Sequence, residues 1–118
     1  MKKIIMLVLV TATFTSCKKS GFGTFVVSVN NRTSVNYSLG VFIDGARVGS
    51  VVALAKTSGF GSCANLDPTL DNVTIITAVA SGNHKYEVKE DSSSPRYDVS
   101  GDFSMNADDC STLPVIIN

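Results

Sequence analysis

The chain has 118 residues, with 10 Lys and Arg balanced by 10 Asp and Glu and a hydrophobic content of 44%. That length holds one small core and leaves no room for a second. The balanced charge excludes the basic footprint that nucleic-acid binding needs, and the apolar content is too high for a disordered tail.

In chain order the first element is an export signal. Lys2 and Lys3 precede an apolar run from Ile4 to Val10, which continues with weaker hydropathy to Phe14. The run is too short to cross a hydrocarbon core of about 30 Å. It reads as a signal h-region rather than a spanning helix. Residues 1–16 are read as removable, and taking 16 from 118 leaves 102 in the mature chain. Lys2 and Lys3 leave with the signal, so the mature chain has 8 basic and 10 acidic residues, a net charge of −2. Residues 17–21 form a tether, and 22–118 form the globular domain.

The mature composition is that of a β protein: 13 Val, 5 Ile and 7 Thr, but only 2 Glu and no Gln. No window sustains an apolar period of 3.6. Thr24 to Val29 reads as a first strand. Asn36 to Ile43 alternates cleanly, with Tyr37, Leu39, Val41 and Ile43 on one face. Asp44-Gly45 then suits a type I′ hairpin turn, and Arg47 to Leu54 returns, with a bulge expected near Ala46. Lys56 to Leu70 is an irregular excursion rich in turn residues. Asn72 to Ala80 is a strand with Val73, Ile75, Thr77 and Val79 on one face. Ser81-Gly82-Asn83 turns the chain into a strand from His84 to Lys89. Arg96 to Met105 follows, with Gly101 at a bend or bulge, and Cys110 to Ile117 closes the domain. Pro114 marks that last strand as an edge. The fold class expected is all-β: a single small antiparallel β-sandwich of about seven strands. Its expected core is Tyr37, Leu39, Val41, Ile43, Val73, Ile75, Val79, Tyr86, Val88, Val99 and Phe103.

Two resemblances add to this reading. Phe14-Thr15-Ser16-Cys17 resembles a bacterial lipobox, with Phe14 in place of the usual Leu, and Thr15-Ser16-Cys17-Lys18-Lys19 is similar to the signal ends of Bacteroidota lipoproteins. The resemblance implies cleavage before Cys17 and a diacylglycerol on its sulfur. The membrane is then a partner through a lipid anchor, and Lys18 at the second mature position favours the outer membrane. Val41-Phe42-Ile43-Asp44-Gly45-Ala46-Arg47-Val48-Gly49 resembles the hairpin of PEGA-type domains, and Ser81-Gly82-Asn83-His84-Lys85-Tyr86-Glu87-Val88 is similar to their later segment. The Pro-Glu-Gly-Ala stretch itself is missing. This second resemblance implies a transthyretin-like or carboxypeptidase-regulatory-like sandwich acting as an accessory or binding module, without catalytic residues.

Three Cys are odd in an exported protein. Acylation of Cys17 leaves Cys63 and Cys110, which an oxidising envelope would join; two free thiols are the alternative. No Cys-x-x-Cys is present, and too few Cys and His exist for zinc.

The remaining chemistry is sparse. His84 is the only histidine, no Gly-x-Ser-x-Gly elbow accompanies it, and it reads as a turn residue. Asp98, Asp102, Asp108 and Asp109 could offer oxygens to Ca²⁺, but not at EF-hand spacing, so solvated loops are the plainer reading. Asn31, Asn36 and Asn72 open glycosylation-like triplets read as chance. Phe22, Phe42 and Phe60 form a possible exposed aromatic patch. No metal and no cofactor are expected. The function expected is a non-enzymatic envelope lipoprotein that binds or supports an envelope protein or glycan, with an inhibitor or immunity-type protein as the alternative.

Overall fold

The computed structural model of the chain describes residues 21–57 and 61–118. The signal expected at 1–16, the acylation expected at Cys17 and the exposed ring expected at Phe60 fall outside the described residues. Within them are seven strands: β1 (Phe22–Asn31), β2 (Tyr37–Ile43), β3 (Ala46–Ala53), β4 (Val73–Ala80), β5 (Gly82–Glu90), β6 (Asp98–Met105) and β7 (Cys110–Ile117). They form a β-sandwich of two sheets, ordered β4-β1-β7 and β3-β2-β5-β6.

The four-stranded sheet follows local grammar. Asp44 and Gly45 both have positive φ, 53° and 85°, as a type I′ turn requires. Ile43 therefore pairs directly with Ala46, and the expected bulge falls one step later, where Val41 opposes Gly49 and Phe42 opposes Arg47. The three-stranded sheet departs from the all-antiparallel expectation in one place. β1 and β7 run parallel, from Thr24 beside Cys110 to Asn31 beside Ile117. The turn after β6 causes this: Asp108 N–H donates to Phe22 O at 2.9 Å and Thr24 N–H to Asp109 O at 2.8 Å, so the chain enters β7 alongside the start of β1. Pro114 does lie on an edge strand.

Phe25, Val27 and Val29 of β1 face Leu39, Val41, Ile43, Val51 and Val88 of the other sheet across the core. Phe25 stacks on Phe103 with ring centroids 4.3 Å apart. Burial of a side chain of that size is worth about 2–3 kcal/mol. Of the expected core, Leu39, Val41, Ile43, Val73, Val79 and Val88 are buried, while Tyr37, Tyr86, Val99 and Phe103 are half-buried against the same cluster.

Ile75 is a correction. Phe25 pairs with Ile76 but Gly23 pairs with Val79, so one residue of β1 opposes two of β4. Ala78, with φ 59°, carries that bulge. The bulge shifts the alternation, bringing Ile76 and Val79 inward and leaving Ile75 half-buried on the outer face.

Two smaller expectations also change. Gly82 and Asn83 are not a hairpin turn: they already belong to β5, and the chain passes from one sheet to the other through Ser81, helped by φ 125° at Gly82. Gly101 is not a bulge either, because β5 and β6 stay in register through it. A Cβ there would lie 2.6 Å from the Tyr86 hydroxyl, so glycine is needed for close approach.

β1 is buried on both faces, with Val26 and Ser28 at 0% exposure although they point away from the core. The excursion between β3 and β4 provides the cover. Thr57 O accepts from Asn31 N–H at 3.0 Å, a Cβ on Gly61 would touch Val73 at 3.1 Å, and Asp71 O accepts from Val52 N–H at 3.1 Å.

Candidate functional site

The Cys63–Cys110 disulfide is present, with Cα atoms 5.8 Å apart. It ties the excursion to β7, and Cys63 N–H also donates to Thr112 Oγ1 at 3.0 Å. The sequence thus located its main staple by counting. Leu66 and Leu70 stay exposed on the stapled segment.

The structure also assembles a corner that the sequence did not announce. Asp44, the first turn residue after β2, accepts from Lys85 N–H at 2.9 Å through Oδ1. That bond aims Oδ2 at His84 Nδ1, 2.6 Å away. The other ring nitrogen, Nε2, lies 2.6 Å from the carbonyl oxygen of Ala80. The ring packs on Phe103 at 5.3 Å between centroids, and the His84 side chain is only 12% exposed.

The Asp44 carboxylate and the Ala80 carbonyl are both acceptors, an arrangement that favours the protonated ring, in which both nitrogens donate. The hydrogen bond to Asp44 raises the His84 pKa above its ordinary value, and the Ala80 carbonyl adds to it. Reciprocally, the bond from His84 and then the Lys85 amide hold the Asp44 carboxyl below the usual range. A protonated ring has no lone pair for a general base. The place that a Ser-His-Asp array gives to the serine hydroxyl is filled here by a carbonyl. The geometry is that of a clasp joining the β2–β3 turn to the β4–β5 link. Two depressions flank the ring. One, of about 510 Å³, is lined by Asp44, Lys85, Asp102 and Phe103; the other, of about 340 Å³, is lined by Ile43, Val48, Ile76 and Val79.

The opposite end of the sandwich is closed by a second ionic group. Glu90 is 8% exposed and accepts from Arg96 Nε at 3.0 Å and Arg96 N–H at 2.8 Å, while the guanidinium lies 4.7 Å from the Tyr37 ring centroid. Arg96 holds the Glu90 carboxyl below its usual range. On the outer face, Arg47 makes a two-bond pair with Asp91 at 2.7 and 2.9 Å, and Arg47 and Lys89 flank the Phe42 ring.

The other candidates disperse. Asp102 pairs with Lys85 and Asp109 accepts from Asn106, and among the described residues no three His, Cys, Asp or Glu side chains converge on a metal position. Phe22 is exposed on the three-stranded sheet and Phe42 is half-buried on the other, so those two do not form one patch. Asn31 and Asn72 are buried: Asn31 donates to Val35 O and Ala53 O, and Asn72 to Val29 O. Asn36 accepts from Ala55 N–H. These three side chains are structural. No helix of the described residues is long and apolar enough to cross a membrane. Comparison of the chain with family models, curated proteins and solved structures found no match.

Proposed function

We propose that the chain is a lipid-anchored envelope protein, held to the outer membrane through Cys17, whose sandwich is a non-enzymatic binding or accessory module. The observation that carries the second half of this reading is the commitment of His84: one ring nitrogen is engaged by the Asp44 carboxylate and the other by the Ala80 carbonyl, which leaves neither free to act on a substrate. The pairing of Cys63 with Cys110 likewise leaves no thiol nucleophile in the domain. The anchoring half rests on Lys2, Lys3, the apolar run and Cys17, and the PEGA-like hairpin supports an accessory role.

The test is acylation in a bacterium that exports the full chain. Labelled palmitate enters the wild-type protein and is lost in Cys17→Ser, which leaves the membrane fraction or accumulates as precursor. Unlabelled wild-type protein overturns the anchoring.

An inhibitor or immunity-type role is favoured by one feature, the stapled excursion that exposes Leu66 and Leu70. In that case Leu66→Ser with Leu70→Ser removes protection of the producing cell against an incoming hydrolase or toxin. Undiminished protection argues against it.

A further inference from the structure

Backbone bonding decides which way the edge strand β6 faces. Asp44 N–H donates to Lys85 O and Asp91 N–H to Ser38 O, both at 2.8 Å. The odd-numbered residues of β5 therefore bond β2, and the even-numbered ones bond β6. Glu90 N–H donating to Tyr97 O at 2.9 Å agrees. Opposite the even-numbered residues stand Val99, Gly101, Phe103 and Met105. The amides and carbonyls of Asp98, Ser100, Asp102 and Ser104 point away from the sheet, and among the described residues none of them meets a backbone partner.

The other free edges are guarded. β3 meets β4 and the excursion, through Val52 N–H to Asp71 O and Thr74 Oγ1 to Ser50 O. β7 has Pro114 at an outward position and the Cys63 staple beside it. β6 has no proline, bulge or lysine; the charges it carries are Asp98 and Asp102, the latter already meeting Lys85 of β5 at 3.0 Å while staying largely exposed. Its outer row is Asp98, Ser100, Asp102 and Ser104. Its inner row includes Val99 and Phe103, which stay half-buried, as does Leu113 of β7 on the same side of the sandwich.

We propose that β6 is a strand-addition site for an extended segment of another protein. The recognised segment carries Lys or Arg at two positions four residues apart, opposite Asp98 and Asp102, with aliphatic residues between them facing the Val99–Phe103 side. Main-chain bonds supply the attachment, and the alternation of side chains supplies the selectivity. A second copy is disfavoured in the antiparallel register centred on Ser100, where Asp98 of one chain stands against Asp102 of the other, since like charges directly opposite are destabilising. The register centred on Gly101 sets each Asp against a Ser, so self-association is an outcome the test distinguishes. This inference rests on the binding-module reading and deepens it; anchoring at Cys17 stands or falls separately, by palmitate labelling.

The probe is a capped peptide, Lys-Val-Ser-Val-Lys-Val-Ser, added to the isotope-labelled full-length chain in detergent micelles. Expected are amide shift changes centred on Asp98–Ser104 and slowed hydrogen exchange at Ser100 and Asp102. The same peptide with Glu in place of Lys binds about tenfold more weakly. Ser100→Pro removes an outward N–H without touching a bond to β5, and lowers binding by about tenfold or more. If Ser100→Pro does not fold, Asp98→Lys with Asp102→Lys serves instead and reverses the preference toward the Glu peptide. The proposal is overturned by unchanged β6 amides, by equal binding of the Lys and Glu peptides, by shifts confined to β7, or by self-association of the chain through β6.

Discussion

Replacing Cys63 and Cys110 together by Ala should remove a large share of the stability of the domain. The bond joins residues 47 positions apart. In the chain-entropy description, opening a loop of that size returns about 4 kcal/mol of freedom to the unfolded state. A domain of this size has a total stability of about 5–15 kcal/mol. One degree of cross-linking therefore accounts for roughly a quarter to most of the total. Thermal midpoints should fall by about 16–32 °C, at roughly 4–8 °C per kcal/mol for a domain near 100 residues.

The native state loses something as well. The excursion is the cover over Val26 and Ser28, and the disulfide is its tie to β7. Urea and thermal unfolding followed by far-UV circular dichroism measure the effect, with wild type, reduced wild type and Cys63→Ala/Cys110→Ala in parallel. Reduced wild type should match the double variant. A loss below about 1 kcal/mol in both would refute the reasoning, since it would mean that the unfolded chain gains little freedom when the loop opens.

Ser28 Oγ is buried with no hydrogen-bond partner among the described residues, so Ser28→Ala should raise stability by about 1 kcal/mol in the same unfolding assay. Gly101→Ala forces a Cβ against the Tyr86 ring and should cost about 1–3 kcal/mol, with Tyr86→Leu partly restoring the variant. The clasp makes stability depend on pH in a defined direction. His84 has its pKa raised on folding, so its contribution is complete below its ordinary value near 6.5 and is lost as pH rises through the folded value. Asp44 has its pKa lowered, so its contribution is present above its ordinary value of 3.8 and is lost as pH falls through the folded one. Urea midpoints measured across pH should decline on the alkaline side, and His84→Gln should flatten that limb; an unchanged limb in the variant would assign the decline to other groups.

What the sequence disclosed, and what it withheld, follows from where each strand meets water. In β2 the residues Leu39, Val41 and Ile43 all point inward while Ser38, Gly40 and Phe42 take the other face, so the period is plain even though that second face is only partly exposed. β1 is buried on both faces once the excursion covers it, and its pattern cannot say which face is the core. In β4 the misassigned Ile75 traces to a bulge at Ala78, a residue type that does not advertise a left-handed conformation as Gly or Asn would. The clasp shows the same limit at longer range. Asp44-Gly45 is legible as a local turn and Ser81-Gly82-Asn83 only as a change of direction, yet the bond between His84 and Asp44 spans 40 positions and exists because β5 crosses to the sheet of β2. Pairing between strands is a property of the whole chain, and only the cysteines, being few, let it be read from one sequence. The β6 edge belongs to the same class. Asp98, Ser100, Asp102 and Ser104 read in sequence as an ordinary solvent face, and they become a row of outward amides only when β5 is known to bond β2 on its other side.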